Sequence, residues 1–331
     1  MKKGNKITIY KIAEELGISP STVSRALNNK GRMKEELRNK ILELAKEYNY
    51  IPNEIAKGLK TKSTKLIGLI IPDIANPYYV KVAKGTQDGA DKFGYTVAIC
   101  NSENKPDLEL KRIKTLLSKQ IDGLLLFNFY NNMETIKFLE NIDIPVVLFN
   151  PPPSGYTFPH INHDLSAINL LLNHFLERGY KDIAHIAGDQ KTIVGKVRLL
   201  KFLRFINIHK ISIPSEWIIE SDFSYEGGYL SMKKLLSLKR IPRAVWCAND
   251  LMAIGAMTAI MEEGLKIPKD IAIAGCDDIE YATLVRPKLT TIHKPKYKLG
   301  ISAINLLMEI IKGYETESIT LCDELIIRES T

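Results

Sequence analysis

Leu16-Gly17-Ile18-Ser19-Pro20 ends one helix and begins another within five residues, and nothing else in the chain constrains its first 50 residues as tightly. Gly17 suits a helix C-terminus, because glycine alone reaches positive φ without strain. Ser19 carries an N-cap side chain. Pro20 fits the first helical position, where no backbone N–H is needed. Upstream, Ile9, Ile12, Ala13 and Leu16 recur at helical spacing and give one apolar face. Thr8 stands at the N-cap position, with Lys11 where a capping box would place Glu. Downstream, Val23, Ala26 and Leu27 face inward, which leaves Ser21, Thr22, Ser24, Arg25 and Asn28 facing out. This pattern predicts a helix-turn-helix whose second helix offers hydroxyls, an amide and a guanidinium. Those groups suit the phosphates and base edges of a DNA major groove. Leu37, Ile41, Leu44 and Ala45 predict a third helix over 34–48 that closes a miniature core.

Charge points the same way. Residues 1–62 hold 14 Lys and Arg against 7 Asp and Glu, a net of +7 out of the chain's +8. A basic segment of this size on a near-neutral remainder favours a polyanion partner for that segment alone. No stretch approaches the ~20 apolar residues of a membrane helix, and no apolar run follows the basic start, so the expectation is a cytosolic protein without a membrane partner. The four cysteines, Cys100, Cys247, Cys276 and Cys322, have neither C-x-x-C pairing nor a nearby His at metal-ligand spacing. They are expected to be buried reduced thiols, and neither metal nor cofactor is expected.

Between the basic head and the rest lies Y-I-P-N-E-I-A-K-G-L-K-T, from Tyr50 to Thr61. Pro52 breaks the preceding helix. Asn53 can cap a short one over 54–59, whose apolar residues are Ile55, Ala56 and Leu59. Gly58 costs such a helix roughly 1 kcal/mol relative to alanine, so it is expected to form only on docking.

From Lys65 apolar runs alternate with amphipathic stretches. Leu66–Pro72 (L-I-G-L-I-I-P) has the continuous apolar character of a buried parallel strand. The series continues with a helix over 78–93, a strand over 95–101, a helix over 107–119 and strands over 123–128 and 145–150. Pro151-Pro152-Pro153-Ser154-Gly155 then interrupts it, Ile161-Asn162-His163 crosses over, and a second series runs to a helix over 296–311 and a final strand over 319–329. Two such series predict doubly wound parallel sheets in two lobes, with a ligand cleft at the carboxyl ends of their strands. Polar residues at those ends are Asp73, Asn76, Asn128 and Asn150 in the first lobe, and Asn249, Asp250, Asp277 and Asp278 in the second. With Tyr78, Tyr79 and Phe223 nearby, the set suits a neutral polyol. Carboxylates and amides pair with hydroxyls, and aromatic rings cover an apolar ring face.

The run T-I-Y-K-I-A-E-E-L-G-I-S-P-S-T-V-S-R-A-L-N resembles the start of the LacI/GalR family of bacterial transcription regulators, and Y-I-P-N-E-I-A-K-G-L resembles that family's hinge. The likeness continues in P-D-I-A-N-P-Y-Y, A-N-D-L-M-A-I-G-A, G-C-D-D and R-P-K-L-T-T-I, so it covers nearly the whole chain. It implies an all-α helix-turn-helix head over 1–50 and a hinge helix and linker over 51–64. A two-lobed periplasmic-binding-protein-like α/β domain would follow over 65–331, its first lobe near 65–162 and 295–322 and its second near 163–294 and 323–331. It implies a dimeric repressor on a palindromic DNA operator, with a small-molecule effector, a sugar, in the cleft. Pro20, Ser21 and Arg25 would lie nearest base edges, and Thr8, Ser19, Thr22, Ser24 and Asn28 would complete the head's DNA contacts. Asn53, Ala56, Lys57 and Leu59 would contact DNA from the hinge, Leu59 as a minor-groove wedge. Asn76, Tyr78, Tyr79, Asn128, Asn150, Arg198, Phe223, Asn249 and Asp277 form the expected effector set.

The chain also departs from the family pattern. Lys201 replaces a usual Gly, Cys276 a usual aromatic, His163 a usual Asp, and Asn150-Pro151 a common Asp-Arg. Two rival classes are disfavoured. A transport-type binding protein would carry a signal peptide instead of a DNA head. An enzyme is unsupported, because the chain has no P-loop, G-x-G-x-x-G, G-x-S-x-G or H-E-x-x-H. A regulator triggered by a protein corepressor is the remaining alternative.

Overall fold

The computed structural model describes residues 8–50, 63–128, 130 and 132–331. The chain divides into two compact units, 1–64 and 65–331.

In the first unit, α1 (Ile9–Glu15), α2 (Pro20–Leu27) and α3 (Glu35–Glu47) surround a core of Ile12, Ala13, Val23, Ala26, Ile41 and Ala45. Leu16, Leu27, Leu37 and Leu44 pack around it, half-buried. Gly17 has φ +62°, and the following Ile18 N–H donates to the Ala13 carbonyl at 2.9 Å, which closes the end of α1. Ser19 caps α2, its Oγ accepting from the Thr22 N–H at 3.2 Å. Thr8 occupies the N-cap position in extended backbone, but its side chain makes no capping bond. Lys11, in place of a capping-box Glu, pairs with Glu14 at 3.2 Å.

The second unit holds two four-stranded parallel sheets of identical order. The first runs β2-β1-β3-β4 (Thr96–Asn101, Leu66–Ile71, Gly123–Leu126, Val146–Leu148). Its helices are α4 (Pro77–Asp91), α5 (Pro106–Ser118) and α6 (Met133–Leu139). Along β1, Ile67, Leu69 and Ile71 enter one apolar cluster and Ile70 the cluster on the other face. Burial on both faces is why the strand reads as an unbroken apolar run. The second sheet runs β7-β6-β8-β9 (Ile218–Glu220, Ile183–Ala187, Ala244–Cys247, Ala272–Ala274). It is covered by α7 (Ser166–Glu177), α8 (Ile193–Ile208), α9 (Tyr225–Leu236) and α10 (Asp250–Glu262). In both sheets the first strand of the series lies inside its successor, so the order reverses there. Such a switch point opens a crevice at the strands' carboxyl ends.

The chain passes between lobes three times. β5 (Ile161–His163) leads into α7. β10 (Thr291–His293) leads into α12 (Lys296–Ile311), after a short α11 (Tyr281–Leu284) that the sequence pattern does not announce. β11 (Ile319–Leu321) pairs parallel with β5, and β12 (Glu324–Ile326) pairs antiparallel with β10. The single strand expected over 319–329 is therefore two, broken where the chain changes lobe. α12 returns to pack on α4, and the approach demands glycine. A Cβ on Gly85 would lie 2.1 Å from the Tyr297 carbonyl oxygen, and one on Gly300 2.2 Å from that of Val82.

All four cysteines are free. Cys247 and Cys276 are buried and Cys100 is half-buried, but Cys322 is exposed, contrary to expectation, because it sits on the third crossing. Among the described residues no helix is long and apolar enough to cross a membrane.

Candidate functional site

Two surfaces gather the residues expected to act. On the helical unit, α2 turns Val23 and Ala26 inward, which leaves Ser21 and Arg25 exposed and Pro20, Thr22, Ser24 and Asn28 half-buried. These polar groups also hold one another. Ser19 Oγ lies 2.8 Å from Ser21 Oγ and 2.9 Å from Thr22 Oγ1, and Arg25 Nη2 donates to Thr22 Oγ1 at 3.2 Å. The guanidinium is thereby steered along the helix face, and its other N–H groups have no partner among the described residues. Asn28 is tied down more firmly, its amide donating to the Ser24 carbonyl at 2.8 Å. Thr8 is exposed, as is Tyr10 at 70 %, an aromatic the spacing alone does not single out. Asn53, Ala56, Lys57 and Leu59 lie outside the described residues.

In the second unit a cavity of about 740 Å³ opens where the strands of both lobes end. The first lobe supplies an aromatic wall. Tyr78 and Tyr79 meet edge-to-face at 5.1 Å, Tyr79 meets Phe127 at 5.0 Å, and Phe127 stacks on Phe149 at 3.9 Å with ring planes 6° apart. Burial raises both tyrosine hydroxyls well above their ordinary range, so they remain neutral. Asn76, at the N-cap of α4, accepts from the Tyr78 N–H at 3.0 Å and so sets the start of the helix that carries this wall.

The second lobe supplies charge. Arg198, on the inner face of α8, donates to Asp277 at 3.2 Å, with both side chains less than a tenth exposed, and also to the Ala248 carbonyl. Asp277 holds φ +114° and Phe223 φ +66°. Both are lining residues in backbone regions that non-glycine residues rarely adopt, and such strain persists only where the surroundings over-determine it. The Phe223 ring lies against Gly188, where a Cβ would come within 1.9 Å of it. Asn249 lines the cavity with its amide already engaged. It accepts from Met252 N–H at 2.9 Å and donates to the Phe223 carbonyl at 2.8 Å.

The lobe crossings form the floor. Asp323 accepts from Lys294 at 3.0 Å and lies 2.6 Å from His163 Nδ1. Burial opposes ionisation of Asp323, but the His163 hydrogen bond and the Lys294 charge outweigh it and bring the carboxyl down to about 2. An ionised Asp323 requires Nδ1 to be the donor. Burial and the Lys294 charge lower the pKa of His163, so the imidazole is neutral.

Of the expected effector set, Asn76, Tyr78, Tyr79, Asn150, Arg198, Phe223, Asn249 and Asp277 line the cavity and Asn128 does not. Asn128 is 1 % exposed and serves the scaffold, accepting from Asn150 N–H at 3.0 Å and donating to the Pro151 carbonyl at 3.3 Å. Asp73 lines the cavity. Asp250 and Asp278 do not. Asp250 binds Thr291 and the Ile279 N–H, and Asp278 binds Arg328 and His293. Sequence reasoning missed Phe127, Phe149, Asp189, Asp222 and Lys294, whereas His163, singled out as a departure from the family pattern, does line the cavity. Asp189 and Asp222 follow the ends of β6 and β7, so the rule that singled out Asp73 would have found them had it been applied to every strand.

Comparison with known proteins agrees with this geometry. The family model for bacterial regulatory proteins of the lacI family matches residues 8–53, and that for a periplasmic binding protein-like domain matches residues 172–331. An HTH-type transcriptional repressor PurR of Histophilus somni (strain 129Pt) is 34% identical over 327 residues, 98% of each chain. The crystal structure of the lac repressor dimer bound to operator and the anti-inducer ONPF superposes with TM-score 0.88 at 26% identity, covering 98% of this chain and 99% of that one. A periplasmic binding protein/LacI transcriptional regulator from Alkaliphilus metalliredigens QYMF, complexed with D-xylulofuranose, is 28% identical with TM-score 0.71, covering 81% of this chain and 99% of that one. The chain belongs to the LacI family of bacterial regulatory proteins. It is a DNA-binding transcriptional repressor, not an enzyme.

Proposed function

We propose that two copies of this chain bind a palindromic operator through α2, and that a sugar bound in the interlobe cavity changes their affinity for it. The observation that carries the effector reading is the 740 Å³ cavity, with an aromatic wall on one lobe and a buried ion pair on the other. Stacked rings cover the apolar face of a pyranose or furanose, and carboxylates and amides meet its hydroxyls. The solved relative holding D-xylulofuranose supports that class, and the lac repressor dimer on its operator supports the pairing on DNA. In this reading Pro20, Ser21 and Arg25 approach base edges, and Ser19, Thr22, Ser24 and Asn28 approach phosphates. The effector acts only through its different affinities for the DNA-bound and free arrangements.

The test is selection of genomic fragments by the purified full chain at several salt concentrations, repeated with D-ribose, D-xylulose and a set of nucleobases. A palindromic motif that survives raised salt and responds to a sugar is the expected result. Fragments without a common motif that wash off with salt refute operator recognition. A palindrome that responds to a nucleobase and to no sugar refutes the sugar.

A further inference from the structure

The charges on the cavity lining are unequally matched. Every described cation there already has a carboxylate. Arg198 holds Asp277 and Lys294 holds Asp323. The carboxylates are in excess. Asp73, Asp189 and Asp222 line the same cavity with no Lys or Arg at ion-pair distance among the described residues. Their own protein contacts are local. Asp73 accepts from Ala75 N–H at 2.9 Å through Oδ1. Asp222 accepts from Ser224 N–H at 3.0 Å and Ser224 Oγ at 2.6 Å, also through Oδ1. Each leaves Oδ2 without a partner among the described residues. Asp189 accepts from Lys191 N–H at 2.8 Å and from the Tyr130 hydroxyl at 3.5 Å.

We propose that this cleft selects a ligand without negative charge, rich in hydroxyl or N–H donors, and rejects its phosphorylated or carboxylated counterparts. The inference rests on the effector reading of the cavity and adds to it the exclusion of the ligand's anionic counterparts. An anion in the cleft meets three unneutralised carboxylates. Arg198 offers it little, because Nη1 and Nη2 already hold the Ala248 carbonyl and Asp277 and the remaining donor, Nε, is buried. Displacing Asp277 would strip a buried carboxylate of its partner, which is strongly destabilising. A hydroxyl or N–H donor meets the same carboxylates as charge-assisted acceptors and leaves both ion pairs intact.

The experiment divides a bacterial metabolite extract on an anion exchanger into unretained and retained fractions, each desalted to matched ionic strength. Thermal unfolding of the full chain is followed by tryptophan fluorescence. Both tryptophans, Trp217 and Trp246, are buried in the second unit, so anions on the basic head do not contribute to the signal. The unretained fraction is expected to raise the midpoint by about 5 °C or more and the retained fraction to leave it unchanged. Stabilisation by the retained fraction, alone or together with the other, overturns the charge rule while keeping the cavity as an effector site. Stabilisation by neither removes the effector reading, and this inference with it. Asp73→Asn combined with Asp222→Asn is expected to unfold at the wild-type midpoint without ligand and to bind the active compound about 10-fold more weakly. Unchanged binding overturns the role given to these carboxylates.

Discussion

Among the described residues the helical unit buries six side chains in its core, none larger than isoleucine, whereas the α/β unit encloses Trp217, Trp246, Phe149, Phe175 and Phe202. The difference extends to where each keeps its functional groups. The head displays its candidate groups along the outside of one helix, so core and candidate interface are two faces of the same eight residues. The α/β unit assembles its groups inside, from strand ends and crossings as far apart in sequence as Asp73 and Lys294. The head is therefore the more legible of the two. The large core buys a site that exists only after folding.

The largest expected effect breaks the second lobe and spares the head. Asp277→Ala leaves Arg198 charged and buried without its carboxylate, at a cost of about 3–5 kcal/mol. Urea denaturation followed by tryptophan fluorescence reads it, and a loss below ~1 kcal/mol would show that the pair is not structural. The converse change, Ile41→Ala, is expected to cost the head about 2–4 kcal/mol. Operator binding should vanish in a gel-shift assay while the tryptophan transition stays in place. A shifted tryptophan transition would mean that the two cores do not unfold independently.

A pH series sharpens the comparison, because the buried acid Glu109 belongs to the α/β unit. Burial pushes its carboxyl up to about 7. Between its ordinary range and pH 7 the folded state holds a proton that the unfolded state has lost. Glu109 therefore lowers stability progressively as pH rises across that window, and the penalty is complete above it. Glu109→Gln should stabilise the protein by about 2–3 kcal/mol at pH 8 and leave it unchanged at pH 4. A gain of equal size at both pH values would point to packing instead of charge.

Smaller effects probe the head's surface. Arg25→Ala should weaken specific operator binding by about 1–3 kcal/mol and reduce discrimination at a single base pair. A uniform loss across all sequences would assign Arg25 to phosphate. Ser19→Ala should cost the head about 1 kcal/mol through the lost cap on α2, seen as a lower melting midpoint by circular dichroism. No change would mean that Pro20 alone is enough to start the helix.

Local chemistry is legible without coordinates because its causes lie within about one helical turn. Gly17, Ser19 and Pro20 sit as their residue types demand, the apolar run from Leu66 is a strand, and α12 spans Lys296–Ile311 as its spacing predicts. Short-range pattern also determined that the chain is a helical head followed by two alternating strand and helix series. What only the tertiary structure decided is which polar strand ends converge. Asn128 looks like Asn150 in sequence, yet it turns away to hold Pro151, while Asp189 and Asp222 turn in. Arg198 meets Asp277 across 79 residues. Cys322 is expected to be a buried thiol like the other three and is exposed because the chain changes lobe there. Caps and periodicity answer to neighbours a few residues away. A cavity answers to the packing of two sheets against their crossings, and no local pattern encodes that.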